Sequence, residues 1–265
     1  MYIDTHAHVN FNVFKDDAEE VIKDSLANET WMILVGTNYK TSKAALHLAN
    51  KYERGVYAAI GLHPLHVFAT KVEGEDYSFN SRQEDFDFKL YEKLLAFEEV
   101  VAVGEVGLDY YHLNNVSNIK EVKKKQQEIF YQQLLLARKN KLPVIIHCRD
   151  AHDDTLKVIN EFKKEQRDLL PKDGLWGVMH CFSGDEDLAW QYFNLGLMIS
   201  FTGLITFSRQ WDDLIRKMPL DKFLVETDCP YMTPEPFRGQ RNIPTNVKLV
   251  AARIAEIKNL TKENS

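Results

Sequence analysis

Tyr2-Ile3-Asp4-Thr5-His6-Ala7-His8 opens the chain. Read as a β-strand, this run sends alternate side chains to opposite faces. His6 and His8 then point the same way at the strand exit, with Asp4 one step deeper on that side. Two imidazoles on one strand face form half a metal site. The fold, and the other half of the site, depend on whether the unit recurs.

It recurs along the whole chain. Working outward, residues 31–36, 56–61, 100–105, 143–147, 175–180, 197–200 and 222–228 are short, largely apolar, strand-like runs. Between and after them lie helical patterns at 15–29, 40–53, 85–97, 120–141, 152–166, 185–195, 207–217 and 245–259. The longest carries an apolar stripe through Phe130, Leu134 and Ala137. Eight βα units predict an α/β fold, a TIM (β/α)8 barrel, as one domain over residues 1–265. A doubly wound open sheet ranks behind it, because no glycine-rich phosphate loop follows any strand. Residues 69–84 are charged and lack apolar periodicity, so they read as a surface excursion.

Composition narrows the class. The 265 residues are 45% hydrophobic and 27% charged, ordinary for a globular protein. No apolar run approaches the roughly 20 residues that span a membrane, so no membrane partner is expected. The chain enters Tyr2-Ile3-Asp4 with no basic-then-apolar leader, which predicts a cytoplasmic location. Three scattered cysteines fit a reducing compartment rather than a disulfide framework. The net charge of −6 is not that of a non-specific nucleic-acid binder. It leaves room for a phosphate substrate if bound divalent ions supply the local positive field.

The strand ends carry the chemistry. The first ends in His6 and His8, the fourth in Glu105, the fifth in His147, the sixth in His180 and the eighth in Asp228. In a barrel all of these open on one face. Four histidines and two carboxylates exceed the needs of one ion and suit two ions sharing a carboxylate. Period two turns Ile145 and His147 inward and Val144, Ile146 and Cys148 outward. On the eighth strand it turns Leu224, Glu226 and Asp228 inward. Cys148, Cys181 and Cys229 each follow a ligand candidate directly, so they face away as packing residues.

With these runs in view, the chain resembles the TatD family of metal-dependent deoxyribonucleases, within the wider metal-dependent hydrolases. The motifs occur in order: Ile3-Asp4-Thr5-His6-Ala7-His8; Gly61-Leu62-His63-Pro64; Gly104-Glu105-Val106-Gly107-Leu108-Asp109-Tyr110-Tyr111; Pro143-Val144-Ile145-Ile146-His147-Cys148-Arg149-Asp150-Ala151; His180-Cys181-Phe182-Ser183-Gly184; and Glu226-Thr227-Asp228-Cys229-Pro230-Tyr231, leading into Arg238-Gly239-Gln240-Arg241-Asn242. The resemblance covers nearly the whole chain. It implies a TIM barrel that cleaves phosphodiester bonds in DNA, often from a 3′ end, with two divalent ions (magnesium, manganese or zinc). By matching motif it implies that His6, His8 and Asp228 hold one ion, His147 and His180 the other, and that Glu105 bridges them. Two features differ from the family pattern. Ile243 stands before Pro244 where the basic loop usually reads Arg-Asn-Glu-Pro, and the chain stops at Ser265 where the family runs on into a helical tail.

The expected chemistry is attack of an activated water on phosphorus, in line with the leaving oxygen. Asp228, Glu105 and His63 are the expected catalytic residues. Asp228 orients the water and takes its proton, and His63 touches the scissile phosphate or protonates the leaving oxygen. Asp4, Asp109 and Glu226 are expected to orient ligands. Arg149, Arg238 and Arg241, with His63, are the candidates for gripping substrate phosphates. Tyr110, Tyr111 and Tyr231 are placed to stack bases or to pack, whereas Lys123-Lys124-Lys125 reads as a solvated helix face. The expected partner is DNA, as single strands or frayed 3′ ends, bound by a monomer. A small-molecule hydrolase of lactonase, phosphotriesterase or deaminase type on the same barrel is the competing function. Many of those bridge their metals with a carboxylated lysine, where this chain has Glu105. A binding protein without catalysis is disfavoured by the full ligand set.

Overall fold

The computed structural model describes residues 1–69, 71–73, 78–114, 116–171 and 174–260. Strands and helices alternate as the sequence pattern requires. The barrel strands are β1 (Tyr2–Ala7), β2 (Thr30–Val35), β3 (Val56–Ile60), β4 (Val100–Asp109), β5 (Val144–Arg149), β6 (Gly177–Met179), β7 (Leu197–Phe201) and β8 (Phe223–Val225). The helices after them are α1 (Ala18–Ala27), α2 (Tyr39–Ala49), α3 (Phe88–Leu94), α4 (Ile119–Lys139), α5 (His152–Glu165), α6 (Glu186–Asn194), α7 (Asp212–Lys217) and α8 (Val247–Ile257). Several start on side-chain caps: Asn38, Asp87 and Asp185 each accept a hydrogen bond from the backbone N–H three residues on.

The eight strands pair in parallel in sequence order. The ring closes where His8 N–H donates to Cys229 O (2.8 Å) and Asp228 N–H donates to His6 O (2.9 Å). Ala7 and Cys229 form a parallel bridge at the same place. This is a TIM barrel, and all strand ends open on one face. Between β3 and α3, Lys71–Glu73 and Ser78–Asn80 pair as a short antiparallel hairpin, separate from the barrel sheet. They lie within the stretch read as a surface excursion; residue 70 and residues 74–77 of it lie outside the described residues.

Alternation sorts the core into two layers. Val35, Ala59, Ala102, Ile145 and Val178 fill the barrel interior, with Leu224 against them. Val144 and Ile146 point the other way and pack with Phe130, Leu134 and Phe162 beneath α4 and α5. The inward and outward faces read for β5 and β8 are those observed. Strand β4 departs from simple alternation. Ala102 is inside and Val103 outside, so strict alternation would turn Glu105 outward. The pairing of β4 with β5 shifts register between Val103 and Val106, after which Val106 and Leu108 are again outside. That irregularity reverses the phase and delivers Glu105 to the barrel mouth.

Candidate active site

Glu105 sits at the centre of the mouth with its two oxygens facing different neighbours. Oε2 lies 3.4 Å from His6 Nε2 and 3.7 Å from His8 Nε2. Oε1 lies 2.9 Å from His147 Nδ1 and 2.8 Å from His180 Nε2. Asp228 Oδ1 completes the first group, 3.4 Å from His8 Nε2 and 3.8 Å from His6 Nε2. All six ligand candidates thus come together in two groups that share one carboxylate. His63 Nε2 reaches the second group, 3.3 Å from Glu105 Oε1.

Hydrogen bonds on the far side of each ring decide what it presents to the centre. The Val35 carbonyl, 2.8 Å from His8 Nδ1, can only accept, so His8 Nδ1 carries a proton and in the neutral ring Nε2 offers a lone pair. His147 Nε2 donates to Asp109 Oδ2 at 3.1 Å, so Nδ1 offers a lone pair. His63 is reversed. Its Nδ1 accepts from Leu65 N–H at 3.1 Å, so in the neutral ring Nε2 carries a proton toward the centre. Burial pushes the His63 pKa down to about 4, leaving the ring neutral at pH 7. In their neutral forms His8 and His147 can therefore offer a lone pair to an ion, whereas His63 offers a hydrogen bond to the centre.

The donor set fits divalent ions. Burial works to lower the pKa of His8 and His147, but hydrogen bonds to Asp228 for the first, and to Asp109 and Glu105 for the second, raise it. When these rings are neutral their lone pairs face carboxylate oxygens, and a cation between them can take the place of the protons. His6 Nε2 and His8 Nε2 approach to 3.1 Å. A tetrahedron with ligand bonds of about 2.0–2.1 Å has edges of about 3.3 Å, close to the spacings in the first group. Burial works to raise the Glu105 carboxyl, but the surrounding imidazoles, His180 and His63 first, outweigh it and hold it well below the ordinary carboxylate range. Asp228 is lowered in the same way, burial being outweighed by His8, His6 and His180. Conversely, burial depresses His180, yet Glu105 and then Glu226 raise it well above an ordinary imidazole. The mouth is a buried place that favours positive charge.

A surrounding layer holds these side chains in place. Asp109, wholly buried, accepts from His147 and also from His112 Nδ1 at 2.9 Å. Burial alone would raise its pKa, but the His112 and His147 hydrogen bonds drive it far below the ordinary range. Asp4 clamps β1 to the segment after β8 by accepting from Thr227 N–H (2.8 Å) and Thr227 Oγ1–H (2.5 Å). Glu226 accepts from Cys181 N–H (2.7 Å) and Ser200 Oγ–H (2.6 Å), and lies 3.4 Å from His180 Nδ1. Cys181 and Asp228 both take left-handed backbone conformations, φ 44° and 55°, so the chain turns directly after His180 and at Asp228 itself. Gly107 has φ 136°, and a Cβ there would lie 2.0 Å from His147 O; only glycine lets β4 pass this close.

Sequence reasoning missed two buried glutamines of α4. Gln133 accepts from Leu62 N–H (2.7 Å) and donates to Leu62 O (2.9 Å). Gln126 accepts from Asp109 N–H (3.1 Å) and donates to Pro64 O (3.2 Å). Together they fix the chain on both sides of His63. The signal was available: two polar residues seven apart, in step with the apolar stripe of the helix.

The remaining candidates lie around the mouth. Arg241 is paired with Asp17, where both guanidinium ends engage the carboxylate, and it covers the Phe14 ring. Arg149 lies over the Tyr111 ring and Arg238 over Phe207. Tyr110 donates to Asp154 Oδ2 at 2.7 Å, with Lys123 over its ring. Asn242 donates to Thr227 O (3.0 Å) and Tyr231 O (2.6 Å), and the adjoining Ile243 packs on the core beside β1 and β2. Burial pushes the Cys148 thiol up to about 11 and Cys181 up to about 12, and raises Cys229 as well. None of the three presents a thiolate to the centre. Among the described residues no helix is long and apolar enough to cross a membrane.

Comparison with known proteins agrees with this architecture. The TatD related DNase family matches the chain over residues 3–265. YabD of Bacillus subtilis, an uncharacterized metal-dependent hydrolase, is 37% identical over 266 residues, covering 99% of this chain and 93% of its own. YcfH of Escherichia coli, described in the same words, is 33% identical, with 98% and 89% covered. Among solved structures, the TatD homologue YjjV of Escherichia coli superposes with a TM-score of 0.78 at 31% identity, covering 97% of this chain and 90% of that one.

Proposed function

Because the chain belongs to the TatD related DNase family of metal-dependent hydrolases, we propose that it hydrolyses phosphodiester bonds in DNA, removing nucleotides from the 3′ ends of single or frayed strands. The observation that carries this reading is the division of Glu105, Oε2 toward His6 and His8 and Oε1 toward His147 and His180. Such a centre suits a pair of divalent ions, and phosphoryl transfer is a reaction for which paired ions are used. His6, His8 and Asp228 would hold one ion and His147 and His180 the other, with Glu105 shared between them; magnesium, manganese and zinc are the candidates. Bound there, the ions supply Lewis acidity to the phosphate oxygens and make a water acidic enough to attack at neutral pH.

The protein's own groups do the rest. Asp228, ionised and buried at the first group, orients the attacking water and accepts its proton as the O–P bond forms. The P–O3′ bond opens, and the departing oxygen takes a proton from solvent. His63, neutral and with Nε2–H directed at the centre, donates a hydrogen bond to a phosphate oxygen as charge builds there. Between the two roles expected of His63, the ring geometry supports phosphate contact, since a neutral imidazole is a poor acid.

The test is nucleotide release from 3′-labelled single-stranded DNA with each of the three metals, comparing wild type with Glu105→Ala and Asp228→Asn. Release by wild type that both variants lose supports the proposal. Folded, metal-loaded wild type that leaves DNA intact but turns over small esters would replace it with the small-molecule reading.

A further inference from the structure

Among the described residues, Arg149 and Arg238 have no carboxylate partner, whereas Arg241 is neutralised by Asp17. Each of the first two is instead held against an aromatic ring. The Arg149 guanidinium carbon is 3.9 Å from the Tyr111 ring centre, and that of Arg238 is 3.8 Å from the Phe207 ring centre. Both rings stay open to solvent, Tyr111 at 43% and Phe207 at 38%. Exposed aromatic rings forgo burial, and unpaired guanidinium groups keep their hydrogen-bonding forks free.

Both pairs stand on segments at or beyond the ends of barrel strands that carry the site. Tyr111 is two residues beyond Asp109, and Arg149 two beyond His147, so the first pair stands over β4 and β5. Phe207 follows the short turn after β7, and Arg238 lies in the segment after β8. Between the two pairs runs β6, which His180 directly follows. The second pair rests on joined loops: Thr206 Oγ1 accepts from Glu235 N–H (2.9 Å) and donates to Gly203 O (2.7 Å). The first is tied by Tyr110 N–H donating to Arg149 O (2.9 Å), so both shelves are built from anchored segments.

We propose that Tyr111–Arg149 and Phe207–Arg238 are two nucleotide-holding shelves flanking the metal centre, each stacking one unpaired base and binding the adjoining phosphate through its guanidinium. This rests on the nuclease reading and gives it a substrate form. Bases inside a duplex have their faces occupied by neighbours, so only unpaired nucleotides can use these shelves. Two guanidinium groups with no carboxylate paired to them supply the local complementarity that the chain's net charge of −6 does not.

The probe is a ten-nucleotide single strand with phosphorothioate linkages, carrying 2-aminopurine at the 3′ end or two positions inside it. Stacking quenches its fluorescence. Wild type is compared with Tyr111→Leu, Phe207→Leu, Arg149→Ala and Arg238→Ala, and with Lys124→Ala, which removes a positive charge from an exposed helix face. Each shelf variant is expected to weaken binding by roughly 5- to 100-fold. The leucine variants should also lose quenching at one probe position, and with cleavable DNA raise KM more than they lower kcat. Unchanged affinity and quenching in all four shelf variants, or equal weakening by Lys124→Ala, would overturn the shelves. DNA release that persists with unaltered KM in the variants defeats the shelves alone. Binding and quenching without DNA hydrolysis defeats the nuclease reading and leaves the shelves standing as a nucleic-acid site.

Discussion

His147 donates its Nε2 proton to Asp109 Oδ2 across 3.1 Å, and so turns a bare Nδ1 toward Glu105. Carboxylates in this position fix the tautomer and strengthen the ligand. Asp109→Ala should therefore weaken one of the two ion positions by about 10- to 100-fold and spare the other. Titration calorimetry with manganese, resolving two binding steps, measures this. His112→Phe removes a hydrogen bond from Asp109 while leaving Asp109 itself, and should give a smaller loss at the same step. Equal affinities in wild type and both variants would contradict this role for Asp109.

His63 differs from the other histidines of the mouth because a backbone N–H occupies its Nδ1. His63→Phe should keep both ions while lowering kcat by about 100- to 1000-fold, the usual loss for one donor to developing charge. His63→Gln, which keeps an N–H, should recover part of that rate. Loss of an ion in His63→Phe would show that the ring is a ligand after all.

The same residue gives the metal-free protein a pH signature. The folded pKa of His63 is about 4, below the ordinary value of 6.5. Between those values the unfolded chain binds the proton that the folded chain refuses, so stability falls as pH drops from about 6.5 to about 4. The contribution is on the order of 3 kcal/mol over that window. Urea unfolding of metal-free wild type and His63→Gln should show a shallower decline in the variant. Parallel declines would remove His63 as the cause.

Gly107→Ala places a Cβ 2.0 Å from His147 O at φ 136°. Neither backbone can yield without moving a ligand strand. We expect loss of metal binding together with a Tm lowered by several degrees, on the order of 2 kcal/mol or more. Calorimetric scanning with and without manganese checks it; a variant with wild-type Tm and metal affinity would refute the close-approach argument.

The grouping of these side chains could be read from the sequence because ligand candidate and strand end coincide. Alternation alone placed Ile145 and His147, and Leu224, Glu226 and Asp228, on the inner faces they occupy. It fails for Glu105, where counting from Val103 points the wrong way, since a register slip against β5 is a property of two paired strands. Ring tautomers were equally hidden. They depend on Val35 O, Asp109 and Leu65 N–H, groups brought beside the histidines by the fold. Arg241 illustrates the same limit. It stands in a basic motif, yet its partner Asp17 lies 224 residues away along the chain. Short runs encode the barrel, whereas what each side chain faces is set by distant contacts.

The central claim is that Glu105 joins two ion positions. Anomalous diffraction from manganese-soaked crystals of wild type and His180→Ala tests it most directly. The account predicts two peaks in wild type, one on each side of the Glu105 carboxylate, with the peak beside His147 weakened or lost in the variant and the peak between His6, His8 and Asp228 retained. A single peak in wild type, or simultaneous loss of both in His180→Ala with the barrel intact, would contradict it.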